Sequence, residues 1–230
     1  MGQKVHPVGF RLGYTKNHQS TWFTNPKTYS ILIAQDRLLR EVLFEQYRDA
    51  GISAIEIERK LNKIQITVKT ARPRVILQTG KQGLEDLQKS LETQLYKYMV
   101  KHVFSQKKYA FFEQSYSEKP TKIAIFVTKL KNPNADVTVI SKFLVDQLEQ
   151  RVAFRKAIRQ AIQRAQRQNV QGIKIQISGR LNGAEIARSE WVRKGRVPLQ
   201  TLRANIDYTY TTAKTIYGLL GIKIWVFQED

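Results

Sequence analysis

The sequence predicts an α+β protein of two domains, each with helices layered on a sheet. Three observations predict it. Apolar residues recur at helical spacing in separate segments, as in Leu84, Leu87, Leu91, Leu95 and Met99. Between them, residues alternate with period two, as in Ile64, Ile66 and Val68, and again in Ile173, Ile175 and Ile177. The Asn- and Pro-rich stretch KNPNAD, at 131–136, separates the two series. A chain of 230 residues with 42% hydrophobic content can bury two such cores.

Residues 1–35 show no sustained periodicity and read as an irregular basic arm with apolar anchors, including Trp22 and Phe23; Trp22 is expected to be buried. A helix is predicted from Asp36, with Leu38, Leu39, Val42, Leu43 and Tyr47 on one side. Gly51 ends it in the left-handed role that glycine fills most readily. The segments ISAIEIERK and NKIQITVKT follow as strands, the first placing Ile55 and Ile57 on one face. RVIL predicts at most a short helix. GKQG, at 80–83, then opens the leucine-spaced helix. An aromatic insert near 104–120 leads to the strand TKIAIFVTKL, which completes a domain of residues 36–130.

In the second domain, 131–230, SKFLVDQLEQRV and FRKAIRQAIQRAQRQN predict two helices. GIKIQISGRL predicts a strand with Lys174 and Gln176 outward. Asn182-Gly183 predicts a hairpin turn into AEIARSEW, and ANIDYTYT and GIKIWVF supply two more strands. Two helices packed on a mainly antiparallel sheet follow.

Charge narrows the function. The chain carries 39 Lys and Arg against 19 Asp and Glu, a net charge of +20. Such self-repulsion implies an acidic partner: nucleic acid, an anionic membrane or an acidic protein. No acidic residue precedes Asp36, and none lies between residues 150 and 184. The longest apolar run, IAIFV, is far below the ~20 residues of a membrane-spanning helix. The N-terminal MGQKVHPVGF lacks a signal-peptide core, so a soluble, intracellular protein is expected. Cysteine is absent, and His6, His18 and His102 are too scattered to suggest a metal cluster. No cofactor is implied. Glu185 and Glu190, five apart on an expected strand, would point to opposite faces. Asp207, Tyr208 and Tyr210 read as strand residues facing a sheet surface. An enzyme reading finds no feature to rest on.

Two constellations favour RNA. GKQG (Gly80, Lys81, Gln82, Gly83) lies between apolar segments and opens a helix. In a KH domain, a GXXG loop lets the backbone approach nucleotide phosphates, and the helix N-terminus adds amide donors. The order helix, strand, strand, helix, loop, helix, strand matches the type II KH arrangement. The spacing is not that of a P-loop. On residues 154–169, an α-helix places Phe154, Ile158, Ala161, Ile162 and Ala165 in one arc, and Arg155, Lys156, Arg159, Arg164 and Arg167 in the other. A merely solvated face would mix signs. A membrane helix would carry larger apolar residues on its other face.

Several long motifs carry a resemblance. MGQKVHPVGFRLG, STWF, TARP, LEQRVAFRKAI, GIKIQISGRLNGAEIARSEW, GRVPLQTLRANIDY and YGLLGIKIWVF together span nearly the whole chain. They resemble the third protein of the small ribosomal subunit, in its bacterial and plastid form. The resemblance implies a KH type II domain, a C-terminal α/β domain, and a place on the subunit head. There the family binds small-subunit rRNA and lines the mRNA entrance. The positions matching its mRNA-entrance set are Arg155, Lys156 and Arg159, with Arg151 adding to the field. Phosphate neutralisation by arm and C-terminal domain assigns rRNA contacts to Lys4, His6, Arg11, Lys16, Arg164, Arg167, Arg180, Arg188 and Arg193. Implied neighbours are the second, tenth and fourteenth small-subunit proteins, with the fourth and fifth across the mRNA entrance.

This sequence departs from bacterial relatives in two extra residues before GKQG, in Gln82 where a cation is usual, and in the aromatic insert. The insert, the short C-terminal end and the native-looking N-terminus together resemble plastid-encoded members and imply the chloroplast stroma. The competing reading is a free-standing KH-type regulator that binds single-stranded RNA away from ribosomes.

Overall fold

The computed structural model describes residues 3–60, 63–77, 81–104 and 122–228, and the chain divides into two compact units. One unit is residues 19–130. The other joins residues 1–18 to 131–230. The stretch 1–35, expected as a single arm, is therefore shared between them.

The N-terminal segment of the discontinuous unit holds α1 (Pro7–Arg11), whose N-cap is His6; its Nδ1 accepts a hydrogen bond from Gly9 N at 3.2 Å.

The 19–130 unit starts with the two-residue strand β1 (Ser20–Thr21) and then α2 (Pro26–Gln46). Proline is suited to the first helical turn, which has no use for its missing N–H. The helix thus starts ten residues before Asp36, where the apolar pattern begins. The reason is visible in its first turns, where Tyr29 and Ile33 are exposed and break the pattern. Further on, Ile31, Gln35, Leu39 and Leu43 line its buried face. A short 3-10 turn, Arg48–Ala50, and Gly51 at φ 65° end the segment.

β2 (Ile52–Lys60) and β3 (Lys63–Thr70) pair antiparallel. Ile55 and Ile57 are buried on one side, and an irregularity between Ile52 and Ala54 lets Ile52 face inward as well. A one-turn helix, α3 (Pro73–Ile76), precedes α4 (Lys81–Met99), which runs on into a π-helical turn at Val100–Phe104. β4 (Lys122–Lys129) lies parallel to β3, giving a sheet of order β1-β2-β3-β4. Leu87, Leu91, Leu95 and Met99 of α4 pack with Leu39 and Leu43 of α2 over Ile57, Ile64, Ile66 and Val68. Each such side chain contributes roughly 1.5–3 kcal/mol on burial. Gly80 and insert residues 105–120 lie outside the described residues, as do the side chains of Lys81 and Gln82.

In the other unit, α5 (Val137–Glu149) is capped by Asp136, whose Oδ1 accepts from Thr138 N at 2.9 Å and Val139 N at 3.1 Å. α6 (Phe154–Gln166) follows. Both pack on one face of an antiparallel sheet of order β6-β5-β8-β7, formed by β5 (Gly172–Gly179), β6 (Arg188–Gly195), β7 (Ile206–Thr215) and β8 (Gly218–Phe227). The core joins Ile140, Leu144 and Leu148 to Phe154, Ile158 and Ile162, above Ile173, Ile175, Ile177, Ile222, Ile224 and Val226.

Asn182-Gly183 does not form the expected two-residue hairpin. Asn182 (φ 53°) and Gly183 (φ 78°) lie in a 3-10 turn, Leu181–Gly183, and β6 begins only at Arg188. The side chain of Asn182 turns to the start of α6, where its Oδ1 accepts from Phe154 N at 3.5 Å. That long-range contact turns Asn182 toward the N-terminus of α6. Glu185 consequently lies in a connection, not on a strand.

Candidate RNA interface

The sequence folds 154–166 as a helix because its small and branched apolar residues repeat along one side, which the sheet then covers. Phe154, Ala157, Ile158, Ala161, Ile162 and Ala165 are buried, whereas Arg155, Lys156, Arg159 and Arg164 are exposed. Among the described residues, Lys156 and Arg159 have no acidic partner. Arg155 lies 3.7 Å from Glu190 of β6, a separation too long for a strong pair, and remains 71% exposed. Glu190 also takes Arg188 at 3.1 Å. Arg164 stacks its guanidinium 3.8 Å above the Phe143 ring, so α5 sets its direction. Arg167 is exposed at the C-terminal cap, and Arg151 is exposed in the connection from α5 at φ 62°. Arg180 donates from Nε to Ala184 O at 2.9 Å. The helix thus presents Lys156 and Arg159 as free cations, flanked by arginines whose directions are partly fixed.

The N-terminal segment brings a correction. Arg11, expected to reach rRNA, is completely buried. Its Nε donates to Ala204 O at 2.8 Å, Nη1 to Pro7 O at 3.0 Å, and Nη2 to Thr201 O at 2.8 Å and Leu199 O at 3.1 Å. A guanidinium has donors arranged as a fork; here they face five backbone carbonyls, and the complete burial of the side chain keeps a phosphate from reaching it. Lys16 is bound to Asp207 at 2.5 Å. His6 caps α1 and meets Tyr208 edge-on, with centroids 4.9 Å apart. Lys4 alone of these four expected positions is exposed and unpaired among the described residues.

The sheet separates the remaining cations. Arg188 and Glu190 belong to the side that carries α6, because Glu190 pairs in register with inward-facing Ile177. Arg193 pairs with Lys174 and belongs to the opposite side. Sequence reasoning assigned Lys174, Lys223, Trp191 and Trp225 no role. For Lys174, Lys223 and Trp225 the signal was their alternation with buried Ile and Val residues, which marks the sheet's other face; Trp191 joins that face through its pairing with Gln176. It also missed the polar centre of the 19–130 unit, where Asp36 accepts from Arg59, Trp22 and Ser20. Trp22 is half-buried there as an anchor. Among the described residues, no group of three or more His, Asp or Glu could hold a metal ion.

At the glycine loop, the described backbone begins with Lys81 at the first turn of α4, so Gly83 lies inside that turn. Helix N-terminal amides at this place suit an anion.

Two family models match. The KH domain covers residues 38–135, and the ribosomal protein S3 C-terminal domain covers residues 144–226. They define the class: a KH-domain protein carrying the C-terminal domain of a ribosomal protein, which is not an enzyme class. Over its full length the chain is 50% identical to the small ribosomal subunit protein uS3c of Gracilaria tenuistipitata var. liui, covering 96% of that protein. It is 49% identical to uS3c of Cyanophora paradoxa, covering 95%, and 49% identical to uS3 of Picosynechococcus sp., covering 87%. The chain belongs to the uS3 family of small ribosomal subunit proteins.

Proposed function

We propose that the chain is a structural constituent of the plastid small ribosomal subunit that binds small-subunit rRNA and presents α6 to mRNA at its entrance. The observation that carries this is the helix itself. Its apolar side is consumed by the core, and Lys156 and Arg159 project with no acidic partner among the described residues. A phosphate backbone supplies that counter-charge. Arg155, Lys156 and Arg159, with Arg151 beside them, form the mRNA-facing set. Arg164, Arg167, Arg180, Arg188, Arg193 and Lys4 are the rRNA candidates that remain surface-accessible. Arg11, His6 and Lys16 act instead by shaping the surface that carries them. The KH loop, residues 80–83, is a further anion contact through backbone amides. The second, tenth and fourteenth small-subunit proteins are the proposed neighbours, with the fourth and fifth across the entrance, in the chloroplast stroma.

The test is replacement of Arg155, Lys156 and Arg159 by alanine. Binding of single-stranded RNA is measured against salt, and subunits are followed by sedimentation. For every phosphate that the variant no longer neutralises, the slope of log affinity against log salt should fall by about 0.7. Subunits should still assemble while mRNA engagement weakens. Collapse of assembly with unchanged mRNA binding would reverse the division of labour stated here.

A further inference from the structure

The face of the β5–β8 sheet turned away from α5 and α6 has a composition unlike the rest of the surface. In register across the sheet stand Arg193, Lys174, Trp225 and Tyr208. The next row is Trp191, Gln176, Lys223 and Tyr210. No Asp or Glu occupies any outward position of the four strands. Trp191 is 59% exposed and Tyr210 55% exposed, although aromatic rings of this size are usually covered in a free-standing sheet. Lys174 Nζ sits 5.3 Å from the Trp191 ring and 5.0 Å from the Trp225 ring, which holds a cation between two aromatic planes.

Beside this face lies a cleft of about 480 Å³, walled by Lys4, His6 and Phe10 on one side and by Lys174, Tyr208 and Trp225 on the other. The wall is fixed. Arg11 ties the 198–204 segment to α1, and His6 meets Tyr208 edge-on.

We infer that this sheet face and its cleft form a second RNA site, which takes unpaired nucleotides by stacking bases on Trp191 and Tyr210 and holding their phosphates on Lys174, Arg193 and Lys223. It rests on the chain being an RNA-binding protein, but it lies on the opposite side of the sheet from α6. Base stacking requires exposed rings, which a duplex cannot use because its bases are already stacked. The clustering of cations without carboxylates requires a polyanion. An acidic peptide satisfies the second condition but leaves the rings without flat partners. Single-stranded RNA satisfies both.

The test uses the full chain and a fluorescently labelled dodecauridylate at about 0.15 M salt. Trp191→Ala should weaken binding by roughly 5- to 100-fold, the range for one missing stacking partner. Trp191→Phe should restore most of it, which also shows that the loss is not one of folding. Lys174→Ala should weaken binding and lower its salt dependence. An RNA duplex of equal length should compete poorly. Binding that is unchanged in Trp191→Ala, or equal for duplex and single strand, overturns the inference. So does polyglutamate displacing the oligonucleotide with equal affinity and no dependence on Trp191, since that would reveal a charge-only surface for acidic protein. The Arg155, Lys156 and Arg159 triple variant separates the two sites. If it alone abolishes binding while Trp191→Ala has no effect, the helix site stands and the sheet site falls.

Discussion

Asp36 gathers Arg59, Trp22 and Ser20 onto one carboxylate: Arg59 Nη2 at 2.5 Å, Trp22 Nε1 at 2.8 Å and Ser20 Oγ at 3.0 Å. Both charged side chains are almost buried, at 7% and 10% exposure. Burial pushes the Arg59 guanidinium down from its ordinary value, and Asp36 acts against that shift. Asp36→Ala should therefore cost about 3–5 kcal/mol in urea unfolding, because it strands a buried cation. Asp36 was legible only as the first residue of an apolar helix pattern. Its partners come from β1, the residue that follows it and β2, and the parallel pairing of two-residue β1 with β2 leaves no trace in local spacing. Lys174 makes a second residue-scale case. Burial, then Lys4 and Arg193, lowers its pKa from the ordinary lysine value. The groups around it are Lys4 and His6 from the N-terminal segment, Arg193 and Trp191 from β6, and Tyr208, Lys223 and Trp225 from β7 and β8. A lowered lysine pKa means that the unfolded chain holds the proton more tightly, so this group's contribution to stability increases as pH rises through its folded pKa. Bound phosphate reverses the effect. RNA binding at alkaline pH should draw a proton onto Lys174, seen as buffer-dependent heats in calorimetry and absent from Lys174→Ala.

At the scale of elements, α6 was the most legible part because one periodicity both buries and exposes it. Its cations could be named from sequence, but Arg164 over Phe143 and Arg155 near Glu190 depend on α5 and β6. Ile158→Ala should cost about 2–5 kcal/mol by leaving a cavity between α6 and the sheet, measured by urea unfolding. The pairing of β5 with β6 has a different control. A Cβ on Gly172 would lie 1.8 Å from Arg196 O, and Gly195 opposite it takes φ 77°. The strands close on each other there, and that closure sets Lys174 opposite Arg193. Gly172→Ala should destabilise the unit by about 1–3 kcal/mol and speed amide exchange along β6. Neither glycine was legible, since GIKIQ reads as an ordinary strand start. The Asn182-Gly183 pair was misread for the complementary reason. The pair does take positive φ, as a tight turn needs, but its contact with the start of α6 is long-range and lies outside any local pattern.

At the scale of the whole molecule, the α+β class and the boundary near 131 follow from periodicity and from Asn and Pro in KNPNAD. What local pattern does not contain is the return of residues 1–18 to the C-terminal unit. That return is held by Arg11, four of whose five carbonyl partners are remote in sequence, together with the Lys16–Asp207 pair and the His6–Tyr208 contact. Arg11→Met should destabilise the C-terminal unit by at least about 3 kcal/mol, because several carbonyls lose their donor at once. It should make residues 196–204 sensitive to protease while leaving the 19–130 unit unchanged.

The sequence separation of 193 from Arg11 to Ala204 also imposes a timetable on synthesis. At ~5–20 residues per second, about 10–40 s pass between making the donor and making its acceptors. The 19–130 unit is complete within that interval and can fold first, while the N-terminal cations wait outside any core. Only when residues 198–204 emerge does Arg11 withdraw from solvent, His6 meet Tyr208, and the aromatic cleft acquire its second wall. The emergence of residues 198–208 thus decides when the segment around Arg11 ceases to be a loose polycation.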